Sequence, residues 1–459
     1  MKSYHIVVIG GGPGGYVAAI RAAKEGKTVA LIEADQLGGT CLNRGCIPSK
    51  TLLRHAEVIQ DIKAAKNWGI ETGELTLSLE KMMARKDQVI KRLRMGIASL
   101  LKAGKVDVYQ GEGTVQKDKT ILISGNENQT IQADSVILAT GSVPLVPPIE
   151  GTKEVAYHTS DTIFRLTEIP NSIVIIGGGV IGIEFACIFE SLGTNVTIVE
   201  MADRLVPNED PDAATAIQNS LEKKGITIMT QTKVESIDTK RNDRVVRVTS
   251  PDGKGIELDC EEILIAVGRQ PNLSGMEGLG LNMNGPFVAV NDYLETSIRG
   301  IYAVGDLVGG WQLAHVASAE GTVAVINAVG GCQPMDYRVV PRCVYTQPEI
   351  ASVGLTEEEA RKKGYKVKVE IYHHAGNGKA IASDDADGFV KIIAEEKYGE
   401  ILGAVFVGSH VTEMLSTASA FMYLEGTVEE MANMIFPHPT VSETMMEAAA
   451  SWLGKGIHS

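Results

Sequence analysis

Residues 6–33 read IVVIGGGPGGYVAAIRAAKEGKTVALIE, and residues 173–200 follow the same pattern with IVIIGGGVIGIEFACIFESLGTNVTIVE. Each stretch opens with a short apolar strand, passes through a glycine-rich turn into a helix, and ends on a second strand closed by an acid. The spacing from the first glycine to the closing acid is the same in both stretches. One such turn is weak evidence, whereas two complete units with equal spacing strongly indicate two dinucleotide-binding units.

The glycines of the two units have separate tasks. In each unit the first glycine permits a tight turn, the second lets the backbone approach a pyrophosphate, and the third lets the helix pack closely on its strand. These positions are Gly10, Gly12 and Gly15 in the first unit and Gly177, Gly179 and Gly182 in the second. A pyrophosphate is expected at each helix N-terminus, where free N–H groups and the helix dipole favour an anion. A glycine turn without a ligand is the alternative, and the repeat argues against it.

The acids that close the two units, Glu33 and Glu200, are expected to accept hydrogen bonds from an adenosine ribose. A carboxylate at Glu200 suits the free 2′-hydroxyl of NAD and repels the 2′-phosphate of NADP. Arg204 follows four residues later, so NADP is disfavoured rather than excluded. The second unit is therefore predicted to bind NAD.

With 459 residues, the chain is too long for one core and should divide into about three domains. We predict a first domain over residues 1–150, a second over residues 151–271, and a return to the first domain over residues 272–342. The strands that lead into Thr140-Gly141 and Asp306 suggest this return. On spacing alone, Asp306 is better interpreted as an ordinary turn acid than as a ligand for polyol hydroxyls.

Beyond residue 342 the pattern changes. Strands are predicted at 367–372, 389–394 and 401–407, followed by a helix at 413–424, so residues 343–459 are expected to form an α+β domain. The predicted fold class is therefore α/β, with two Rossmann-like dinucleotide-binding domains followed by a C-terminal α+β domain.

The composition excludes several classes of function. Lys plus Arg number 43 and Asp plus Glu number 57, which gives a net charge of −14 that disfavours nucleic acid and anionic membranes as partners. No apolar run reaches the roughly 18 residues of a membrane span. The first apolar run begins almost at Met1 and leaves no room for a targeting segment, so a cytoplasmic location is expected.

Directly after the first unit, residues 38–50 read GGTCLNRGCIPSK. Cys41 and Cys46 would lie about 140° apart around a regular helix, so a disulfide between them requires an irregular turn, with the helix proper starting near Cys46. A strained disulfide in a short loop is easily reduced, which favours a catalytic bond, and a helix N-terminus stabilises a thiolate. Two buried free cysteines or half of a zinc site are the alternatives. Because no second cysteine pair has ligand spacing, no metal site is predicted.

The remaining cysteines and several histidines are assigned no chemistry. The cysteines expected to be structural are Cys187, Cys260, Cys332 and Cys343. The histidines expected at the surface are His373, His374 and His410.

The motif at residues 38–50, between two dinucleotide units, resembles the pyridine nucleotide–disulfide oxidoreductases, and the similarity runs over the whole chain. Within that family it is best with the enzymes that oxidise dihydrolipoamide. Residues 436–443, FPHPTVSE, look like the family's C-terminal active-site motif, with His438 and Glu443 as its functional side chains. Arg44 and Phe436 stand at positions where family members vary.

The resemblance implies that FAD binds the first unit and NAD the second. The implied FAD contacts are Glu33, Thr40, Lys50, Gly113, Thr140, Gly141, Asp306 and Ala314. The implied NAD contacts are Gly179, Glu200, Val234, Gly268 and Arg269. Lys50 is further implied to pair with Glu184 near the flavin.

The resemblance also implies a homodimer held by the C-terminal domain, in which His438 of one subunit meets Cys41 of the other. His438, oriented by Glu443, would be a general base for a dithiol that reduces the Cys41–Cys46 disulfide. The local sequence offers another interpretation, in which Thr440 to Glu443 form a capping box and His438 is only a loop residue. The implied partners are lipoyl domains and peripheral subunit-binding domains of 2-oxo acid dehydrogenase or glycine cleavage complexes.

Competing functions are distinguished by single features. Glutathione reductase shares the cysteine pair, but Glu200 argues against the NADP that it uses. Mercuric reductase would add a C-terminal cysteine pair, whereas the chain ends WLGKGIHS, and soluble transhydrogenase lacks the pair at Cys41 and Cys46. A docking component of a multienzyme complex is compatible with the enzyme, and a non-catalytic flavin sensor is disfavoured by the intact cysteine and histidine set. The complex served, the direction used in the cell and a preference for a related disulfide are left open.

Overall fold

A computed structural model of the protein describes residues 1–125, 128–240 and 243–458. The strands, in chain order, are β1 Lys2–Ile9, β2 Val29–Glu33, β3 Asp107–Val115, β4 Thr120–Gly125, β5 Gln129–Leu138, β6 Ser142–Pro144, β7 His158–Thr159, β8 Ser172–Ile176, β9 Asn195–Val199, β10 Thr227–Met229, β11 Lys233–Lys240, β12 Asp243–Thr249, β13 Gly255–Cys260, β14 Glu262–Ile265, β15 Arg269–Pro271, β16 Met283–Asn284, β17 Phe287–Val288, β18 Ile301–Ala303, β19 Arg342–Val344, β20 Glu349–Gly354, β21 Val367–His373, β22 Phe389–Glu395 and β23 Ile401–Gly408. The helices are α1 Pro13–Lys24, α2 Gly39–Arg44, α3 Cys46–Ala64, α4 Leu79–Ala103, α5 Val180–Ser191, α6 Pro211–Lys223, α7 Ala314–Ala328, α8 Glu357–Lys362, α9 Gly378–Ala382, α10 Val411–Tyr423, α11 Val428–Asn433 and α12 Glu443–Trp452.

The first sheet is parallel at its centre. Strand β1 lies between β2 and β5, with β3 beyond β2 and β18 beyond β5, and β4 pairs antiparallel with both β3 and β5. The last residues of β1, Ile6 to Ile9, are all buried, as expected of a strand covered on both faces. Strand β18 pairs Ile301 with Val136, so the chain returns to its first sheet after residue 300.

The second sheet repeats the arrangement of the first. Its five parallel strands run in the order β10-β9-β8-β14-β7, and β8 leads through the second glycine-rich turn into α5. A separate antiparallel sheet, β11-β12-β13, follows in sequence between β10 and β14. Both glycine-rich turns thus stand at the carboxyl ends of central parallel strands, the position where such folds bind dinucleotides.

The third sheet is antiparallel, in the order β19-β20-β23-β22-β21, with helices α8 to α12 in the same region of the chain. A buried ion pair ties it to the second sheet, because Lys391 Nζ on β22 lies 2.9 Å from Asp210, the N-cap residue of α6. The fold class predicted from sequence is confirmed. None of the described helices is long and apolar enough to cross a membrane.

Candidate active site

One continuous cleft, with a volume of about 2680 Å³, is lined by both glycine-rich turns and by the two cysteines. Most of the residues singled out from sequence contribute to its walls. They are Gly10, Gly12, Glu33, Thr40, Cys41, Cys46, Lys50, Gly113, Thr140, Gly141, Gly177, Gly179, Glu184, Glu200, Val234, Gly268, Arg269, Asp306 and Ala314. The glycine-rich turns that follow β1 of the first sheet and β8 of the second sheet therefore open into one shared space.

The third glycine of each unit lies behind the cleft. A Cβ atom at Gly15 would stand 1.8 Å from the carbonyl oxygen of Gly10, and one at Gly182 would stand 2.0 Å from that of Gly177. Any larger residue would push the helix away from its turn. These two glycines therefore serve helix packing, which is the task their spacing predicts.

Helix α1 directs its N-terminus into the cleft. Gly12 is the N-cap residue, Pro13 is the first helical residue, and among the described residues no side chain caps this end. The free N–H groups and the helix dipole make this a site for an anion. Beside it, the Glu33 carboxylate accepts hydrogen bonds from the N–H of Gly11 at 2.6 Å and of Asp35 at 2.7 Å.

Helix α5 repeats this geometry in the second unit. Gly179 is its N-cap residue, again without a side-chain cap in the described part of the chain, and a Cβ at Gly179 would meet open space. The Glu200 carboxylate accepts hydrogen bonds from the N–H of Gly178 at 2.6 Å and of Ala202 at 2.7 Å. The backbone therefore fixes both acids at the rim of the cleft, and their ribose contacts stay predictions.

Asp306 belongs to the cleft. It lies in a short 3₁₀ helix over Gly305–Val308, and its carboxylate accepts a 2.5 Å hydrogen bond from the hydroxyl of Ser142. This position differs from that of an ordinary turn acid, the interpretation that spacing alone favoured. Ala314 lies nearby in the cleft wall as the first residue of helix α7.

Arg269 faces the first unit with its side chain. The guanidinium donates to the Ser142 hydroxyl at 2.7 Å, to the Ser142 carbonyl at 2.8 Å and to Thr40 at 3.5 Å, and it pairs with Asp161 at 3.2 Å. The resemblance implied an NAD contact for this residue. The structure shows the Arg269 guanidinium bound to Ser142 and Asp161, and its contact with NAD stays a prediction.

The two cysteines occupy an interrupted helix, as the sequence predicted. Cys41 lies in the short helix α2, the backbone breaks at Gly45 with φ −129° and ψ −110°, and Cys46 is the first residue of α3. Both side chains are thiols, and the Cys41 thiol is hydrogen bonded to Cys46. The break in the helix thus brings the two cysteines of the motif next to each other.

Cys46 has the environment of a thiolate. The hydrogen bond from Cys41, opposed by the effect of burial and assisted by the charge of Lys50, lowers the pKa of Cys46 to about 7. The same hydrogen bond raises the pKa of Cys41. The N-terminus of helix α3 at Cys46 acts in the same sense. Both thiols line the cleft, and Cys46 is the more exposed of the two.

Lys50 and Glu184 form the predicted pair across the cleft. The Lys50 Nζ atom lies 2.8 and 2.9 Å from the two carboxylate oxygens of Glu184, whose residue is only 4% exposed. Tyr345, which the sequence did not suggest, donates its backbone N–H to Glu184 at 3.1 Å and lies with its ring 4.5 Å from the Lys50 ammonium.

His438 and Glu443 are brought together, away from the cysteines of the same chain. His438 Nδ1 lies 3.0 Å from the Glu443 carboxylate, and the imidazole is 80% exposed. The described lining of the cleft does not include either residue. Against the effect of burial, hydrogen bonds from the Thr440 N–H and from His438 lower the pKa of Glu443. Within one chain, His438 and Glu443 therefore lie outside the cleft that Cys41 and Cys46 line.

Of the capping box predicted over Thr440 to Glu443, only the bond from the Thr440 N–H to the Glu443 carboxylate is present. Helix α12 begins at Glu443 with Ser442 as its N-cap residue, and the Thr440 hydroxyl turns back to donate to the carbonyl of Pro437 at 2.8 Å. The Glu443 carboxylate accepts from the Thr440 N–H at 2.8 Å while it also bonds His438. The Glu443 carboxylate thus binds both the His438 imidazole and the backbone just before helix α12.

The loop that contains His438 and Thr440 is held by Asn377, which the sequence did not suggest. Asn377 is buried, caps the short helix α9 and donates its side-chain amide to the carbonyl of Thr440 at 3.0 Å. An Asn before a Gly at a helix start was the sequence signal for this cap.

Two other predictions from the sequence differ from the structure. His374, expected at the surface, is only 1% exposed, and Cys332, expected to be structural, is exposed.

Comparison with known proteins defines the class. Residues 4–321 match the family model for pyridine nucleotide-disulphide oxidoreductases, and residues 340–449 match the model for the dimerisation domain of the same enzymes. The chain therefore belongs to the pyridine nucleotide-disulphide oxidoreductase family, as an FAD-dependent and NAD-linked disulfide oxidoreductase. The dimerisation domain supports a homodimer.

Two dihydrolipoyl dehydrogenases and two solved structures are similar to this chain over nearly its whole length. The chain is 42% identical over 469 aligned residues to a dihydrolipoyl dehydrogenase of Bacillus subtilis, with 99% of both chains covered. It is 40% identical to a dihydrolipoyl dehydrogenase of Mycobacterium tuberculosis, with all of both chains covered. Among solved structures, LpdA from M. tuberculosis superposes with a TM-score of 0.90 at 28% identity, covering 98% of this chain and 99% of that one. The flavoprotein disulfide reductase RclA from Escherichia coli superposes with a TM-score of 0.88 at 30% identity, covering 98% of this chain and all of that one.

Proposed function

We propose that this protein oxidises protein-bound dihydrolipoamide to lipoamide and reduces NAD to NADH, the activity for which its dihydrolipoyl dehydrogenase relatives are named. The observation that carries the proposal is the placement of Cys46. Its thiol, with a pKa of about 7, lies at the start of a helix in the same cleft as two glycine-rich helix N-termini. A dithiol–disulfide couple and two dinucleotides can therefore meet in one space.

The cleft fits FAD in its first half and NAD in its second. The N-termini of α1 and α5 are open to an anion, and a Cβ at Gly141 or Gly268 would likewise meet open space within the described structure. Glu33, Asp306 and Ala314 would hold FAD, while Glu200 and Val234 would hold NAD. When bound, FAD accepts an electron pair from the dithiol and delivers a hydride to NAD.

The protein's own residues perform the dithiol half-reaction. His438 of the partner subunit removes a proton from dihydrolipoamide, and the resulting thiolate attacks Cys41 in the oxidised pair. The Cys41–Cys46 bond breaks and leaves Cys46 as a thiolate beside Lys50. The second substrate thiol then gives up its proton and displaces Cys41, which leaves as a thiolate and takes up that proton. Lipoamide is released, and two electrons have moved from the substrate to the cysteine pair.

The exposure of His438 supports the placement of the dyad in a site shared by two subunits, since its imidazole is 80% exposed and is not covered by its own chain. The proposed partners are lipoyl domains and peripheral subunit-binding domains of 2-oxo acid dehydrogenase or glycine cleavage complexes. A cytoplasmic location and the division at residues 150, 271 and 342 belong to the same proposal.

The first experiment is an anaerobic titration of the purified holoprotein, followed by its visible spectrum. Addition of NADH should produce a two-electron reduced state with a long-wavelength thiolate–flavin band. Addition of dihydrolipoamide and NAD should yield NADH rapidly. A flavin that reduces with NADH but ignores dihydrolipoamide would contradict the proposed substrate while leaving the redox pair in place.

A further inference from the structure

Arg44 lies between the two redox cysteines in sequence and is not needed for their chemistry. Its side chain makes ionic contacts with two separate parts of the fold. Its guanidinium pairs with Asp35, which follows β2 of the first sheet. On its other side it lies 3.8 Å from Asp161, which follows β7 of the second sheet. All three residues line the dinucleotide cleft.

These contacts continue across the cleft as one polar network. Asp161 also pairs with Arg269 at 3.2 Å, Arg269 donates to the Ser142 hydroxyl at 2.7 Å, and that hydroxyl donates to Asp306 at 2.5 Å. At the opposite end, the N–H of Asp35 donates to Glu33 at 2.7 Å. The network thus joins the acid at the end of β2 to Asp306, and both are residues predicted to hold FAD.

The charges in the network indicate what Arg44 does. Arg44 has Asp35 on one side and Asp161 on the other, so its positive charge is balanced within the protein. A pyrophosphate placed against Arg44 would also approach those two carboxylates, which repel it. Arg44 is therefore suited to holding two walls of the cleft together and poorly suited to neutralising the cofactor.

We propose that Arg44 is a positioning residue for FAD, which acts with Asp161 as a latch between the first and second sheets and slows release of the cofactor. The proposal rests on FAD binding in the first unit, and it does not depend on which disulfide the enzyme reduces. The Arg44 side chain is 33% exposed and that of Asp161 is 21% exposed, so the expected effect is modest.

The test measures FAD release from the holoprotein after dilution into a trap of excess apoflavoprotein, followed by flavin fluorescence. Arg44→Gln should accelerate release by about five- to tenfold. Asp161→Asn should accelerate it at least as much, because it also removes the pair with Arg269. The double variant should release FAD little faster than Asp161→Asn, because both substitutions remove the Arg44–Asp161 contact. Arg54→Gln is the matched control, since Arg54 pairs with Glu57 on the exposed face of α3.

Three results would overturn the latch. An unchanged rate of FAD release from the Arg44→Gln variant would contradict the latch directly. Slower or unchanged release from Asp161→Asn, together with faster release from Arg44→Gln, would mean that Arg44 contacts the cofactor directly. Equal acceleration in Arg54→Gln would mean general destabilisation. Turnover of dihydrolipoamide is measured separately, so a wrong substrate would leave the release rates interpretable.

Discussion

Cys46 and Lys50 lie one turn apart on helix α3 and both face the dinucleotide cleft. This spacing places the ammonium close to the thiol that the family chemistry requires as a thiolate. Glu184 on α5 holds the ammonium there through its two carboxylate oxygens. Glu184, which belongs to the second dinucleotide-binding unit, thereby holds the positive charge of Lys50 beside Cys46.

Lys50→Met should raise the pKa of Cys46 by about one unit, because a nearby positive charge favours the thiolate and its loss favours the thiol. The midpoint of the thiolate–flavin band in the two-electron reduced protein should move from near pH 7 to higher pH. Lys66→Met is the control, because Lys66 is exposed beyond the end of the same helix. An unmoved midpoint would show that the Lys50 charge does not contribute to the pKa of Cys46.

The same substitution should also destabilise the protein, since it leaves the Glu184 carboxylate buried without its cation. Breaking a buried pair in this way costs about 3–5 kcal/mol of unfolding free energy. The double variant Lys50→Met, Glu184→Gln should regain most of that loss, because the amide is neutral. Thermal denaturation of the three proteins provides the comparison, and a double variant no more stable than the single one would argue against the ion pair as the cause.

The two cysteines should be distinguishable by spectrum. Cys41→Ser and Cys46→Ser should both abolish dihydrolipoamide turnover while FAD remains bound. Only Cys41→Ser should show the long-wavelength band in the oxidised protein, because it retains Cys46, the sulfur whose pKa is lowered to about 7. Cys332→Ser is the matched control, since Cys332 is exposed elsewhere in the chain. Turnover retained by either active-site variant would contradict the disulfide relay, and a band in Cys46→Ser would exchange the roles of the two sulfurs.

Local sequence patterns predicted those parts of the site that depend on backbone geometry. Gly15 and Gly182 were assigned to helix packing from their spacing, and a Cβ at either position would meet carbonyl oxygen at 1.8 or 2.0 Å. The helix break between Cys41 and Cys46 followed from the angle between residues on a regular helix. In each case the physical constraint acts within a few residues, so the sequence contains all of it.

Contacts between segments that are distant in sequence could not be predicted from such local patterns. The pairing of Lys50 with Glu184 was implied by the family resemblance and could not be obtained from spacing, because the two residues are 134 positions apart. The direction of the Arg269 side chain depends on Ser142 and Asp161 in other segments. His374 follows a half-exposed strand, yet it is buried against Gly388 and Gly408, which only the folded chain brings near it.

His438→Gln should slow the dithiol half-reaction by roughly 10²–10⁴-fold, because the general base is lost. Reduction of the flavin by NADH should be nearly unaffected, since that half of the reaction needs no base for a thiol. Stopped-flow measurement of each half-reaction separates the two effects. His373→Gln is the control, because His373 is an exposed histidine on β21 of the same domain. Equal loss in both halves would mean that His438 is only structural.

Coexpression of two inactive variants can test whether His438 acts on the partner subunit. A mixed dimer of Cys46→Ser and His438→Gln chains holds one site with both an intact cysteine pair and an intact histidine, provided that the histidine comes from the other chain. We expect activity to return in the mixture, to about a quarter of the wild-type level if the chains assort at random. Activity that stays absent in a confirmed mixed dimer would place the histidine and the cysteines of one chain in the same site.

Glu320 on α7 should make stability depend on pH. It is 1% exposed, and it accepts hydrogen bonds from the N–H of Gly305 at 2.6 Å and the hydroxyl of Tyr337 at 2.7 Å. Burial, opposed by these two bonds, raises the pKa of Glu320 to about 7. Since the ordinary value is 4.5, the folded protein holds a proton that the unfolded chain has lost between these two pH values.

The proton-linked contribution of Glu320 is therefore complete below pH 4.5 and is lost as the pH rises through about 7. Glu320→Gln removes this dependence, because the amide is neutral at every pH and its oxygen can still accept from Gly305. Relative to wild type, the variant should gain stability between pH 5 and pH 8 by up to about 3 kcal/mol. Melting temperatures of the FAD-bound proteins across this range measure the effect, with the exposed Glu71→Gln as control. A difference in melting temperature that does not change with pH would show that Glu320 is ionised throughout, and that its two hydrogen bonds outweigh its burial.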